Sequence, residues 1–114
     1  MDWRGKWRNQ YGSTLQISSQ DDNRIFGQFE TALRDSAFFG SKYDVFGVHC
    51  GDCVSFTFAG RTAKGDTICT FTGLWRDGKI EAVWHLVSDS LEEGKRPWPH
   101  AVMTNADTFE VANQ

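Results

Sequence analysis

The feature that most constrains this chain is a period of two. In Cys53–Gly60, Val54, Phe56 and Phe58 alternate with Ser55, Thr57 and Ala59. Such alternation puts one set of side chains on each face of a pleated strand, so the segment reads as a half-buried strand. Ser13–Ser18 alternates too, with Leu15 and Ile17 on one face. Arg24–Leu33 groups Gly27, Phe29, Thr31 and Leu33. Tyr43–His49, Thr67–Trp75, Lys79–Ser88 and Ala101–Val111 read as further strands, and Gly5–Asn9 as a short opening one. Turn signals separate them: Asp21-Asp22-Asn23, Gly51-Asp52, Ala63–Asp66 and Asp77-Gly78, the last a strong hairpin dipeptide. Asp35–Lys42 reads as a loop despite its Phe38-Phe39 pair, and Asp89–Pro97 as a longer polar loop. Successive strands with mostly short connections predict an all-β fold, an eight-stranded antiparallel up-and-down barrel with no open edge. Periodicity alone also permits a sandwich.

A barrel of this size holds packed side chains or one small ligand. The five Trp, nine Phe and two Tyr in 114 residues suit a wide interior, because aromatic rings cover large areas. The length predicts one domain, residues 1–114. The net charge of -3 is spread along the chain, and no basic stripe points to nucleic acid. No apolar run reaches the roughly 18 residues of a membrane span. Strand periodicity begins almost at Met1, which predicts no secretory signal peptide. Both a cytoplasmic protein and the mature form of a secreted one fit that pattern.

The three cysteines cannot all pair within the chain. Cys50 and Cys53 form C-x-x-C, which reads as inert thiols, a loop disulfide, half a metal site or a redox pair. Zinc needs about four ligands. His49 is adjacent and Cys69 is the remaining thiol, but no second pair has ligand spacing, so no metal site is expected.

Four stretches carry a resemblance to a known family. They are Gly5–Leu15 (GKWRNQYGSTL), Gly27–Leu33 (GQFETAL), Lys79–Ser88 (KIEAVWHLVS) and Asn105–Val111 (NADTFEV), with a looser match at Thr67–Gly73 (TICTFTG). In this order and spacing the chain resembles the avidin–streptavidin family over almost its whole length, from near residue 5 to near residue 111. The resemblance implies non-covalent binding of biotin, with no further cofactor and no catalysis. A cyclic urea has one carbonyl oxygen that needs donors and two N–H groups that need acceptors. Each costs about 1–3 kcal/mol if buried unpaired. The family analogy assigns Asn9 and Ser13 to the carbonyl oxygen, and Thr31 and Asp107 to the N–H groups. Strand parity agrees: Ser13 shares a face with Leu15 and Ile17, Thr31 with Phe29 and Leu33, and Asp107 with Phe109 and Val111. Singly, each of the four is an ordinary turn or strand residue; together, on inward faces of different strands, they outline a pocket.

The analogy also implies an apolar wall. Trp84 matches a tryptophan that stacks on the ligand, Leu86 an apolar contact beside it, and Phe71 a position held by Trp or Phe. Leu33 matches an aliphatic contact near the mouth. Thr67 and Asp35 fall where the ligand's carboxylate tail is bound by a hydroxyl and a backbone N–H. Trp7 is expected to be core, closing the far end. Trp98, within Pro97-Trp98-Pro99, reads as a cap on a neighbouring subunit's pocket, a cap on its own, or a loop anchor.

Three departures stand out. Phe29 occupies the position of a tyrosine donor to the urea oxygen, a loss of about 1–3 kcal/mol. Gly60 aligns with a tryptophan wall, so that wall is expected to be missing, at a cost of roughly 2–4 kcal/mol. Cys69 replaces a threonine hydroxyl with a weaker donor. Subtracted from the ceiling of non-covalent binding, these leave an expected affinity between about micromolar and picomolar. The departures keep two other readings open. One is a barrel kept for a different small ligand. The other is an oligomeric scaffold, since Val83, His85 and Val87 form an outward apolar stripe that predicts a homodimer, with a homotetramer as the larger assembly. An enzyme would need a pair such as Asp107–His100 or Cys69–His85. His85 has the wrong strand parity for that, and His49 reads as a solvent-facing or interface residue.

Overall fold

The computed structural model describes residues 1–36, 38–62, 65–89 and 102–112. Eight strands form a closed barrel in sequence order: β1 (Gly5–Asn9), β2 (Thr14–Asp21), β3 (Arg24–Glu30), β4 (Tyr43–Cys50), β5 (Cys53–Thr62), β6 (Gly65–Arg76), β7 (Lys79–Ser88) and β8 (Val102–Val111). All neighbours are antiparallel, and β1 closes the barrel by pairing with both β2 and β8. The sandwich alternative is excluded by that closure.

Alternation governs burial in most of the strands, and a bulge between Ile17 and Ser19 interrupts it in β2. In β5, Val54, Phe56 and Phe58 are buried while their neighbours face outward. At Asp77-Gly78 both residues have positive φ (52° and 79°), the geometry of the tight hairpin turn that the dipeptide favours. The alternation also fails beyond strand ends and near them. β3 ends at Glu30, so Leu33, expected on the inward face, is 40% exposed. Val111 lies at the end of β8 and is 59% exposed rather than inward.

The core is an aromatic stack. Phe56 lies over Phe71 at 4.7 Å, and Phe29 over Phe58 at 5.0 Å. Phe109 meets Phe71 edge-on at 5.7 Å. At the far end Trp7 is buried as expected, and the segment before β1 adds a second plug. Trp3 is fully buried, 6.4 Å from the Trp7 ring, and its carbonyl accepts the Trp7 indole N–H at 3.0 Å. Gln20 on β2 holds this segment with both ends of its amide: Oε1 accepts the Trp3 N–H and Nε2 donates to the Met1 carbonyl. His49, expected at the surface, shares the inward parity of Val45 on β4, and its ring lies 6.4 Å from Trp3.

Candidate ligand-binding site

The opposite end of the barrel is bounded by the β1–β2 turn and the β3–β4 connection. Among the described residues the buried polar side chains are five: Asn9, Ser13, Thr31, Thr67 and Asp107. Burying a polar group costs free energy unless it is paired, so such a set in an aromatic barrel calls for explanation.

Asn9 ends β1, and its carboxamide oxygen accepts the backbone N–H groups of Tyr11 and Ser13 at 3.0 and 2.9 Å. These bonds fix the amide orientation. Nδ2 is turned the other way and donates to Asp107 Oδ2 at 3.0 Å, which leaves its second N–H for another acceptor. Ser13 Oγ accepts the Ala32 N–H at 2.8 Å and lies 3.3 Å from Thr31 Oγ1. Thr31 Oγ1 in turn accepts the Leu33 N–H at 3.2 Å. The backbone donors thus orient both hydroxyls. If Thr31 donates to Ser13, the Ser13 hydroxyl proton is free to point at a third group, and each bond in the series polarises the next. Asp107 keeps spare acceptor capacity, since Oδ1 has only a 3.5 Å contact from Gln10 Nε2. One corner of this end of the barrel can therefore donate from Asn9 and Ser13 while accepting at Thr31 and Asp107.

Facing this corner is a wall built by β5, β6 and β7. Phe56, Phe71 and Trp84 are laterally paired across the three strands, and Phe58, Cys69 and Leu86 form the next row. Trp84 and Leu86 are only partly buried, although they point inward beside a fully enclosed core. Met103, opposite Leu86 and on the inward parity of β8, is 58% exposed. Inward residues with open surface mark the mouth of the barrel. Thr67 is buried on β6, where its hydroxyl donates to the Gly65 carbonyl at 3.4 Å, apart from the four-residue corner, and Asp35 is exposed.

The expectation of a missing wall at Gly60 is corrected. A Cβ there would lie 2.7 Å from Tyr43 Cε1 and 2.9 Å from Phe38 Cε1, so two rings already fill the space. Phe38 comes from the β3–β4 connection, is 4% exposed and packs edge-on against Tyr43 and Phe58 at 5.0 and 5.1 Å. Glycine at 60 is what lets that loop aromatic sit down. Phe38 and Met103 stand at this end of the barrel, and the sequence reading singled out neither of them. Phe29 is buried and stacked on Phe58, so the surface where a hydroxyl was absent belongs to the aromatic cluster. Trp98 and His100 lie outside the described residues.

Burial, with the charge of Asp107 second, pushes the Cys69 thiol up to about 12. The thiol is therefore neutral in the pocket wall and no nucleophile at neutral pH. Its contribution to stability is intact below the unfolded value near 9 and disappears as pH rises toward 12. Melting temperature should fall across that alkaline window, and less steeply in Cys69→Ala. Equal slopes in the two proteins would show that the thiol is not the group responsible. His85 is exposed on the outer face of β7, so it forms no pair with Cys69.

The model of the avidin family matches residues 1–112. The chain belongs to the avidin family. No curated protein matches it in sequence. Solved structures with the same fold include apo shwanavidin, 26% identical with a TM-score of 0.77, the match covering 96% of this chain and 95% of that one. The bradavidin2–biotin complex is 19% identical with a TM-score of 0.80, covering 99% and 100%. The rhizavidin–biotin complex is 21% identical with a TM-score of 0.80, covering 100% and 98%. The expected barrel is thus the family's fold, closed and eight-stranded.

Proposed function

We propose that this avidin-family chain binds biotin, or a closely related cyclic urea, without covalent chemistry, in the open end of its barrel. One observation carries the reading: the buried polar residues of the described chain comprise two donors and two acceptors gathered at one corner, plus Thr67 on β6. Asn9 Nδ2 and the Ser13 hydroxyl donate to the urea oxygen, while Thr31 Oγ1 and Asp107 accept the two N–H groups. Trp84, Phe71, Leu86 and Cys69 flank the bicyclic body, and Phe38 supplies the wall opposite. Thr67 lies toward the carboxylate tail, with Leu33 and Asp35 at the rim. The biotin complexes of two proteins with this fold support the ligand class.

The filled space at Gly60 removes most of the penalty expected there and leaves Phe29 as the main loss. Phe29→Tyr tests this. A phenol at that position gains a bond to the urea oxygen when biotin is bound, worth about 1–1.5 kcal/mol, and is an unpaired buried hydroxyl when it is not. Biotin affinity by titration should rise roughly tenfold, while the ligand-free protein melts lower. Unchanged affinity with an intact fold would mean the urea does not sit beside residue 29. Phe29 and Cys69 favour a second reading, a less polar ligand in the same pocket, which biotin competition would separate from the first.

The outer face of β7 supports a homodimer. Val83 is 51% and Val87 42% exposed, and Ile68, beside Val87 on β6, is 56% exposed. Sedimentation of the wild type against a Val83→Lys, Val87→Lys variant tests the assembly: a dimer that persists in the variant rules this face out.

A further inference from the structure

The end of the barrel remote from the pocket carries a feature that ligand binding does not use. Cys50 ends β4 and Cys53 begins β5, and the two are paired directly across the Gly51-Asp52 turn. Both are free and exposed. Inward neighbours flank them on each side, His49 with its imidazole toward Trp3 and the buried Val54, so both cysteines project from the same outer face. This parity separates His49 from the two thiols and removes it as a shared metal ligand. Among the described residues no cluster of three or more His, Cys, Asp or Glu side chains could hold a metal ion.

The turn between them is fixed. Gly51 has φ of +57° and Asp52 does not share it, the arrangement of a two-residue hairpin with glycine first. The Asp52 carbonyl accepts the Trp75 N–H at 2.8 Å, and its carboxylate accepts Arg76 Nη1 at 2.9 Å. The β6 end of the barrel thus holds the hairpin tip in place. Directly opposed residues of an antiparallel ladder have Cα atoms about 4.5–5.5 Å apart, inside the span of about 4.4–6.8 Å that a disulfide bridges.

We propose that Cys50 and Cys53 are a reversible dithiol–disulfide modification site, oxidised by exchange with small disulfides such as glutathione disulfide. One thiolate attacks a sulfur of the small disulfide, forms a mixed disulfide and releases one small thiol. The second thiolate attacks the protein-side sulfur, closes Cys50–Cys53 and releases the other small thiol. The protein pair loses two electrons and two protons, and the small disulfide gains them. The ring closed is short, so the bridge restricts the unfolded chain little. The site responds to redox state without being a staple on which the fold depends.

The test incubates the full chain in glutathione buffers of graded oxidised-to-reduced ratio, quenches by alkylation in denaturant and reads intact and peptide masses. The expected product has lost two hydrogens, links Cys50 to Cys53 and keeps one alkylated cysteine, Cys69. Cys50→Ser and Cys53→Ser should each stop at the mixed disulfide, one glutathione heavier. Two separately alkylated or separately glutathionylated cysteines in the wild type, or a disulfide between two chains, would overturn the proposal. Biotin binding plays no part in this readout, so its outcome is independent of the pocket.

Discussion

Asp107→Ala should weaken biotin binding roughly ten- to a hundredfold, the largest loss expected from any one polar group in the pocket. Two effects combine. The carboxylate is the charged acceptor of the corner, and hydrogen bonds to charged groups are worth about 1.5–3 kcal/mol. It also accepts Asn9 Nδ2 at 3.0 Å, so its removal takes away the partner of the amide proposed to serve the urea oxygen. Titration of both proteins with biotin reads the loss, and circular dichroism of the variant checks that the barrel persists. An affinity within about twofold of the wild type would mean that the ligand's N–H groups are satisfied elsewhere.

Trp3→Ala should produce the largest loss of stability. Trp3 is fully buried and packs on Trp7 and His49, and deleting such a ring costs about 3–5 kcal/mol. That is a large share of the roughly 5–15 kcal/mol that holds a domain together. For a chain of this size the melting temperature should drop by about 12–20 °C. Trp3→Phe is the informative control. The Trp3 indole Nε1 is buried with no partner among the described residues, so phenylalanine keeps most of the contact and removes an unpaired donor. Its loss should be well under half that of alanine. Biotin affinity of either variant, measured below its melting temperature, should be unchanged, because Trp3 lies at the end opposite Asn9 and Asp107. Equal melting losses for alanine and phenylalanine would mean the indole N–H matters more than the ring.

The polar corner was legible because two independent signals agreed on it. Strand parity put Ser13, Thr31 and Asp107 on inward faces, and the motifs around Asn9 and Asp107 sit at opposite ends of the chain yet pair in the barrel, Asn9 lying against Phe109. What escaped the sequence was complementarity between distant positions. Phe38 is buried only because residue 60 is a glycine and Tyr43 turns its ring toward it. Neither fact is visible in a window around Phe38, where a loop is expected to be polar. Trp3 precedes the first strand, so no alternation refers to it, and its burial depends on Gln20 fastening the segment from β2. Leu33 shows the converse, since it lies three residues beyond Glu30, the end of β3, where strand parity no longer sets the direction of a side chain. His49 was within reach of the same parity argument, as its face is that of Val45.

The most direct test is isothermal titration of the wild-type protein with biotin, accompanied by melting with and without the ligand. The account predicts saturable heat with a Kd below about micromolar and a rise in melting temperature that grows with free biotin. No heat and no shift, from a protein shown to be folded, would contradict it, because a corner of Asn9, Ser13, Thr31 and Asp107 arranged as described would then not be a urea site.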